Sequence, residues 1–105
     1  MSGIDRVDDR ELENTLNNRL VQWTTTGTAL ERTIEFADFH DALEFVNAVG
    51  EKAEMMGHHP DIDMRYNKVS LLLTSHDVGG ITWRDIALAS HIDQLAPKYQ
   101  VRKIA

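Results

Sequence analysis

Three of the five histidines in the chain, His58, His59 and His76, stand close together and have carboxylates nearby. Glu54 precedes His58 by four residues, and Asp85 follows His76 by nine. Imidazole exchanges protons near neutral pH because its unperturbed pKa is about 6.5. Imidazole and carboxylate groups are frequent general acids and bases in enzymes. This stretch is therefore predicted to carry proton-transfer chemistry.

The spacing of Glu54 and His58 admits two interpretations. Residues four apart share a helix face, so the carboxylate could accept the imidazole N–H and fix the orientation of the ring. Alternatively, the two side chains form an exposed ion pair, or the helix dipole favours a histidine there. His59 points about 100° away from His58 on a helix, and Pro60 favours an extended His59. The His-His-Pro run is thus consistent with a rigid catalytic corner or with a simple helix end.

His76 and Asp85 also have a functional and a structural interpretation. His76 shortly precedes Gly79 and Gly80, and glycines let the backbone turn sharply or approach a ligand closely. The alternative is an ordinary glycine turn that carries a surface histidine. Asp85 stands three residues after Thr82, which is the spacing of a helix capping box. Either residue could therefore serve catalysis or local structure.

Aromatic residues near these positions could contact a flat heterocycle. Trp23 and Trp83 could stack on such a ring, and Tyr66 lies on an alternating strand pattern with its hydroxyl available. The alternative for all three is packing. His40 and His91 fall on polar helix faces, and no function is assigned to them.

The hydrophobic pattern indicates the elements that must position these residues. Residues 8–19 form a polar helix with a leucine stripe, and residues 30–36 alternate as a half-buried strand that pairs with 21–25. Apolar residues at helical spacing then run to Met56, between a predicted N-cap at Asp38 and a stop at Gly57.

Two further alternating segments, 62–66 and 69–73, precede a loop and a last helix capped by Thr82. The order is α-β-β-α-β-β-α. It predicts an α+β fold, a two-layer sandwich with a mainly antiparallel four-stranded sheet and helices on one face. The His-His-Pro run then lies at the end of the long middle helix.

The composition restricts the class of protein. A chain of 105 residues, 42% hydrophobic and 27% charged, is expected to form a single domain over residues 1–105. A net charge of −6 with no clustered basic face argues against nucleic-acid binding. The absence of cysteine excludes disulfides and thiolate chemistry. With no signal-like or membrane-spanning apolar stretch, we expect a cytoplasmic protein without membrane contact.

The order of the reactive residues resembles the signature of the pterin-4a-carbinolamine dehydratases. That signature is Glu, three residues, His-His-Pro, five residues, Tyr, nine residues, His, eight residues, Asp. Every position is filled, by Glu54, His58, His59, Pro60, Tyr66, His76 and Asp85. The likeness covers roughly residues 20–96. Two positions depart from it: Ile62 stands where the family commonly has an aromatic residue, and Trp83 occupies a variable position.

The resemblance implies an enzyme of the hydro-lyase class. Members remove water from a pterin 4a-carbinolamine, the product left by aromatic amino acid hydroxylases, and return the quinonoid dihydropterin for cofactor recycling. No metal, nucleotide or redox cofactor is required. The implied catalytic set is Glu54, His58, His59, His76 and Asp85, and the implied substrate-binding set is Trp23, Asp61, Tyr66 and Asp77.

Within that set, His59 and His76 are expected to face the substrate. His58 is expected to assist them and Glu54 to orient a ring, while Asp85 acts as a support or a pterin contact. The small size of the domain favours a homo-oligomer, and the resemblance implies a homodimer or homotetramer.

Two alternatives of other classes remain at the level of the sequence. Three histidines and carboxylates could bind Zn²⁺ or Fe²⁺, although an adjacent histidine pair is awkward for a single metal. A non-catalytic dimerisation or binding module is the second alternative, because some animal members of the family serve a transcription factor in that way.

Overall fold

The computed structural model describes residues 5–99. In chain order the elements are α1 (Asp9–Asn18), β1 (Thr24–Thr25), β2 (Leu30–Glu35), α2 (Phe39–Met56), β3 (Asp61–Arg65), β4 (Lys68–Leu73), α3 (Trp83–Leu95) and a short 3₁₀ helix (Ala96–Lys98). The sheet order is β1-β2-β4-β3, and every neighbouring pair is antiparallel. This confirms the predicted order of elements and the α+β fold. Strand β1 is shorter than predicted.

The predicted capping residues begin α2 and α3 and end α2. The Asp38 carboxylate accepts a hydrogen bond from the Asp41 amide at 2.9 Å, which starts α2. Gly57 ends α2 in the left-handed region with φ of 64°, a conformation that glycine adopts without strain. Thr82 and Asp85 form a capping box at the start of α3. None of the helices within residues 5–99 has the length and apolar character needed to cross a bilayer.

The core lies between one face of the sheet and the helices. Alternate residues of the two central strands are buried there, as period-2 geometry requires: Leu30, Ile34, Val69, Leu71 and Leu73. Helices α2 and α3 cover them with Ala42, Phe45, Val49, Ala53, Ile86, Leu88, Ala89 and Ile92. The opposite face of the sheet is polar; there the Thr33 and Ser70 hydroxyls meet at 2.8 Å.

One charged residue, Arg32, interrupts the apolar face of β2. Its Nη1 donates to Asp93 Oδ1 on α3 at 2.5 Å, and Trp23 Nε1 donates to the same oxygen at 2.8 Å. A buried or half-buried charge needs such a partner, since desolvation otherwise makes its burial costly. The trio therefore joins the sheet to α3, and Trp23 belongs to the core at 3% exposure.

Candidate active site

The β3–β4 hairpin brings the separate histidine segments to one end of the sheet. Asp61 pairs with Leu72 in the antiparallel register. Residues 58–60, which precede β3, therefore lie beside residues 74–80, which follow β4. Helix α3 also begins at this end, because the loop after β4 leads directly into Thr82. His58, His59, His76 and Asp85 accordingly belong to one region of the chain.

His58 is held by a buried carboxylate on another helix. Its Nε2 lies 2.5 Å from Asp85 Oδ1, and the two side chains are 10% and 0% exposed. An ionised carboxylate only accepts hydrogen bonds, so Nε2 carries the proton. Nδ1 is then the ring nitrogen that Asp85 does not bind. The arrangement fixes the tautomer and the orientation of the ring, as a carboxylate does for a catalytic histidine.

This contact corrects the expected pairing of Glu54 with His58. The left-handed Gly57 ends the helix before His58, and the His58 amide donates to the Ala53 carbonyl at 3.1 Å. Residue 58 is thus not part of the regular helix that the four-residue spacing assumed. The turn directs the ring of His58 inward to Asp85.

Glu54 instead contacts His59. The Glu54 Oε2 atom lies within hydrogen-bond distance of His59 Nε2. Both side chains are exposed, at 77% for Glu54 and 60% for His59. Glu54 on α2 thus contacts the second histidine of the pair, in an exposed setting.

The second oxygen of Asp85 binds the two ends of the loop that carries His76. Oδ2 accepts from Ser75 Oγ at 2.8 Å and from the Thr82 amide at 2.9 Å. The structural interpretation of Asp85 as a capping-box residue is thus confirmed. Its contact with His58 is made by the same carboxylate, so one residue serves both the helix start and the histidine.

His76 and Asp77 form the exposed tip of this loop. Gly79 has φ of 69° and its amide donates to the Ser75 carbonyl at 2.9 Å, which closes the turn. Arg84 Nη2 donates to Asp77 Oδ1 at 2.6 Å. The hydrogen bond from Arg84 holds the pKa of Asp77 below its usual value, and nearby His58 acts in the same direction more weakly. Asp77 therefore already has a cationic partner beside the histidine region.

We expect the Asp77–Arg84 contact to be insensitive to pH across the neutral range. Because the pKa of Asp77 is lowered on folding, the contact's contribution is present above the usual aspartate pKa and is lost as pH falls through the lowered value. In Arg84→Gln, the pKa of Asp77 should rise towards about 3.9. Carboxyl ¹³C NMR titration of both proteins measures this; an unchanged pKa would contradict it.

The proposed substrate-binding residues are dispersed. Asp61 is exposed at the start of β3 and lines a hollow of about 250 Å³ on the polar face of the sheet. Tyr66 lies at the other end of β3, about 17 Å along the strand by the usual rise per residue. Trp23 is buried with its indole N–H bound to Asp93. Within one chain, the structure therefore brings neither aromatic residue to the histidines.

Ser75 and Arg84 are the polar residues of this region that sequence reasoning missed. Nothing in the type or spacing of a serine before a histidine distinguishes it from an ordinary loop residue.

Within residues 5–99, no three His, Cys, Asp or Glu side chains are arranged to hold a metal ion. The metal-site alternative thus has no geometric support in this part of the chain.

A family model and several relatives match most of the chain. A family model described as pterin 4 alpha carbinolamine dehydratase matches residues 5–95. A relative from Koribacter versatilis, provisionally named a pterin-4-alpha-carbinolamine dehydratase, is 48% identical over 91 residues, 87% of this chain and 96% of the relative. One from Acidobacterium capsulatum with the same provisional name is 50% identical over 90 residues, 86% and 97% of the two chains.

Two solved structures share the architecture. A protein from Brucella melitensis, described as a transcriptional coactivator/pterin dehydratase, superposes with a TM-score of 0.83 at 30% identity, covering 88% of this chain and 99% of that one. A pterin dehydratase-like protein described as a RuBisCO assembly factor in the alpha-carboxysome gives a TM-score of 0.59 at 23% identity, covering 70% and 86%. The second likeness concerns the fold alone.

Proposed function

The chain belongs to the pterin 4 alpha carbinolamine dehydratase family, and from that membership we propose that it dehydrates a 4a-hydroxytetrahydropterin. The observation that carries the proposal is the buried His58–Asp85 pair, placed at the same end of the sheet as His59 and His76. A histidine fixed in this way suits proton transfer to or from a bound substrate. The proposed activity is that of a hydro-lyase, and the substrate is a small pterin.

The reaction requires two proton movements and one bond cleavage. The C4a–O bond breaks, and the hydroxyl leaves as water after it receives a proton. The N5–H proton goes to a base, and its electron pair forms the C4a=N5 double bond of the quinonoid dihydropterin. No electron enters or leaves, so the groups required of the protein are an acid, a base and contacts that hold the ring.

We assign His58 a larger role than the sequence indicated. Asp85 keeps the proton of His58 on Nε2, so the unprotonated Nδ1 can accept the N5 proton. As the ring becomes charged, the same carboxylate stabilises it without any movement. His58 is therefore the proposed base.

His59 and His76 are the proposed groups on the solvent side of the site. Glu54 orients His59, and this pair is proposed to deliver the proton to the leaving hydroxyl. His76 stands on the glycine-closed loop beside His58 and is proposed to hold the pterin ring. Asp61 and Asp77 remain proposed pterin contacts at the rim.

The two aromatic residues need different proposals. A pterin contact by Tyr66 would require a second chain, because Tyr66 lies at the far end of the β3–β4 hairpin. For Trp23 we propose a structural role in place of substrate binding, since its indole is buried against Asp93.

The purified protein is expected to accelerate dehydration of a chemically generated 4a-carbinolamine without any added cofactor. All of the proposed groups are side chains of this chain, so the rate should survive treatment with EDTA. Stopped-flow absorbance of the quinonoid product measures it, with buffer alone as the reference. Loss of the activity on chelation and recovery with Zn²⁺ would contradict the metal-free mechanism.

We propose that the chain forms a homo-oligomer through the surface beside α2. Apolar side chains are exposed on α2 and on the adjoining edge strand β3: Phe39, Leu43, Met55 and Ile62. Strand β3 is an edge strand of the sheet, so its unpaired outer side can pair with a strand of another chain. A second copy of this chain would cover both features.

Light scattering at micromolar concentration is expected to give a dimer or tetramer of the 11.9 kDa chain. Met55→Lys should shift the distribution towards monomer, because Met55 is 78% exposed on α2 and a charge there opposes apolar burial. The matched control is Val21→Lys, at another exposed apolar position. A purely monomeric wild-type protein, or equal shifts in both variants, would remove this proposal.

A binding role without catalysis is the second candidate. The solved relative from Brucella melitensis is described as a transcriptional coactivator as well as a pterin dehydratase. An inactive protein in the carbinolamine assay would favour this candidate. If the assay is positive, we propose a cytoplasmic role in recycling the pterin of an aromatic amino acid hydroxylase.

A further inference from the structure

Ser75 occupies a buried position between the two halves of the proposed site. Ser75 is only 1% exposed, and its Oγ lies 2.8 Å from Asp85 Oδ2 and 2.8 Å from Thr82 Oγ1. A serine hydroxyl has one proton, which must go to the acceptor-only carboxylate. Thr82 then donates its own proton to Ser75, and its oxygen accepts from the Arg84 amide at 3.1 Å. Every proton in this chain of contacts has an acceptor.

The backbone of Ser75 anchors the loop that carries the next residue, His76. The Ser75 amide donates to the Gly80 carbonyl at 2.9 Å. Its carbonyl accepts from the amides of Val78 at 3.1 Å and Gly79 at 2.9 Å. These bonds do not use the side chain, so they persist when the hydroxyl is removed. The hydroxyl and the backbone of Ser75 thus perform separable tasks.

We infer that Ser75 is a positioning residue that holds the Asp85 carboxylate, and through it His58, in register with the His76 loop. The turnover part of this inference rests on the proposed dehydratase function. Its physical reason is that His58 binds Oδ1 while Ser75 and the Thr82 amide together fix Oδ2, so the carboxylate and the His58 ring that it binds keep one orientation. Asp85 retains only the Thr82 amide on that oxygen when the hydroxyl is absent.

Turnover gives the first test. Ser75→Ala is expected to lower kcat by about tenfold with KM changed less than twofold, because the lost bond acts on the reacting histidine and not on the substrate. Ser75→Thr, which keeps the hydroxyl, should recover most of the rate. In an Asp85→Asn background the Ser75→Ala change should cost under about twofold, since the residue acts through Asp85. Additive effects of the two substitutions would overturn the inference.

The second test needs no turnover. The His58 Nε2 proton, buried against Asp85, should give a downfield NMR resonance that exchanges slowly with water. Ser75→Ala is expected to raise its exchange rate by about tenfold. Thr33→Ala removes the hydroxyl contact with Ser70 on the open sheet face and should leave the resonance unchanged. If Ser75→Ala fails to fold, Ser75→Cys, with its weaker donor, should show a smaller change in the same direction.

The two measurements separate the possible failures. Faster exchange in Ser75→Ala with no dehydration by any variant, wild type included, supports the role of Ser75 and removes the proposed function. An active wild type whose His58 resonance is the same in Ser75→Ala overturns the role of Ser75, whatever the change in kcat.

Discussion

Replacing His58 with alanine is expected to lower kcat/KM for carbinolamine dehydration by about 10²–10⁴-fold, the usual worth of a general acid or base. The substitution removes the proposed base and leaves the buried Asp85 carboxylate without the ring that it binds at 2.5 Å. Steady-state rates with the generated carbinolamine measure the effect. Circular dichroism should show that the remaining protein is folded under the assay conditions.

His40→Ala is the matched control for this prediction. His40 lies on α2 with a side chain 75% exposed, and its Nε2 lies 3.4 Å from Glu44 Oε2 on the same helix. We expect kcat/KM to stay within about twofold, as for surface positions away from a site. A rate for His58→Ala as high as that of His40→Ala would show that the buried pair is not part of the mechanism.

Replacing Asp85 with alanine is expected to lower the free energy of unfolding by about 3 kcal/mol or more, because three donors lose a buried acceptor at about 1–3 kcal/mol each. The carboxylate is fully buried and accepts from His58, from Ser75 and from the Thr82 amide. Its loss leaves three donors without an acceptor and removes the capping box of α3. Urea unfolding, read as ΔG with m constant, measures the change.

Asp38→Ala provides the comparison for an ordinary helix cap. The Asp38 side chain accepts the Asp41 amide at 2.9 Å in an exposed setting, so its loss should cost about 0.5–2 kcal/mol. Equal losses in the two variants would mean that Asp85 acts as a cap alone. A clearly larger loss for Asp85 supports its second role in holding His58.

Local signals accounted for the start and end of the helices. Asp38, Gly57 and Thr82 act within four residues of their own position, through side-chain caps or a left-handed backbone. Hydrophobic alternation likewise predicted which face of each central strand is buried. Such features depend on neighbouring residues, so a single sequence suffices to predict them.

Local patterns could not predict which acidic and basic side chains contact each other. The four-residue spacing predicted a contact between Glu54 and His58. The left-handed Gly57 turns the chain after α2, and Glu54 contacts His59 instead. The partner of His58 is Asp85, 27 residues away. Arg32, an exception in its strand pattern, likewise finds Asp93 at a separation of 61 residues.

By itself, then, the sequence determined the α+β order of elements, the family resemblance and the residue types of the proposed site. Only the tertiary structure decided that Asp85 binds His58, that Ser75 joins this pair to the His76 loop, and that Tyr66 lies at the far end of its hairpin. The physical reason is one of range. Caps and alternation follow from contacts within a few residues, whereas these pairings depend on how β3, β4 and α3 pack together.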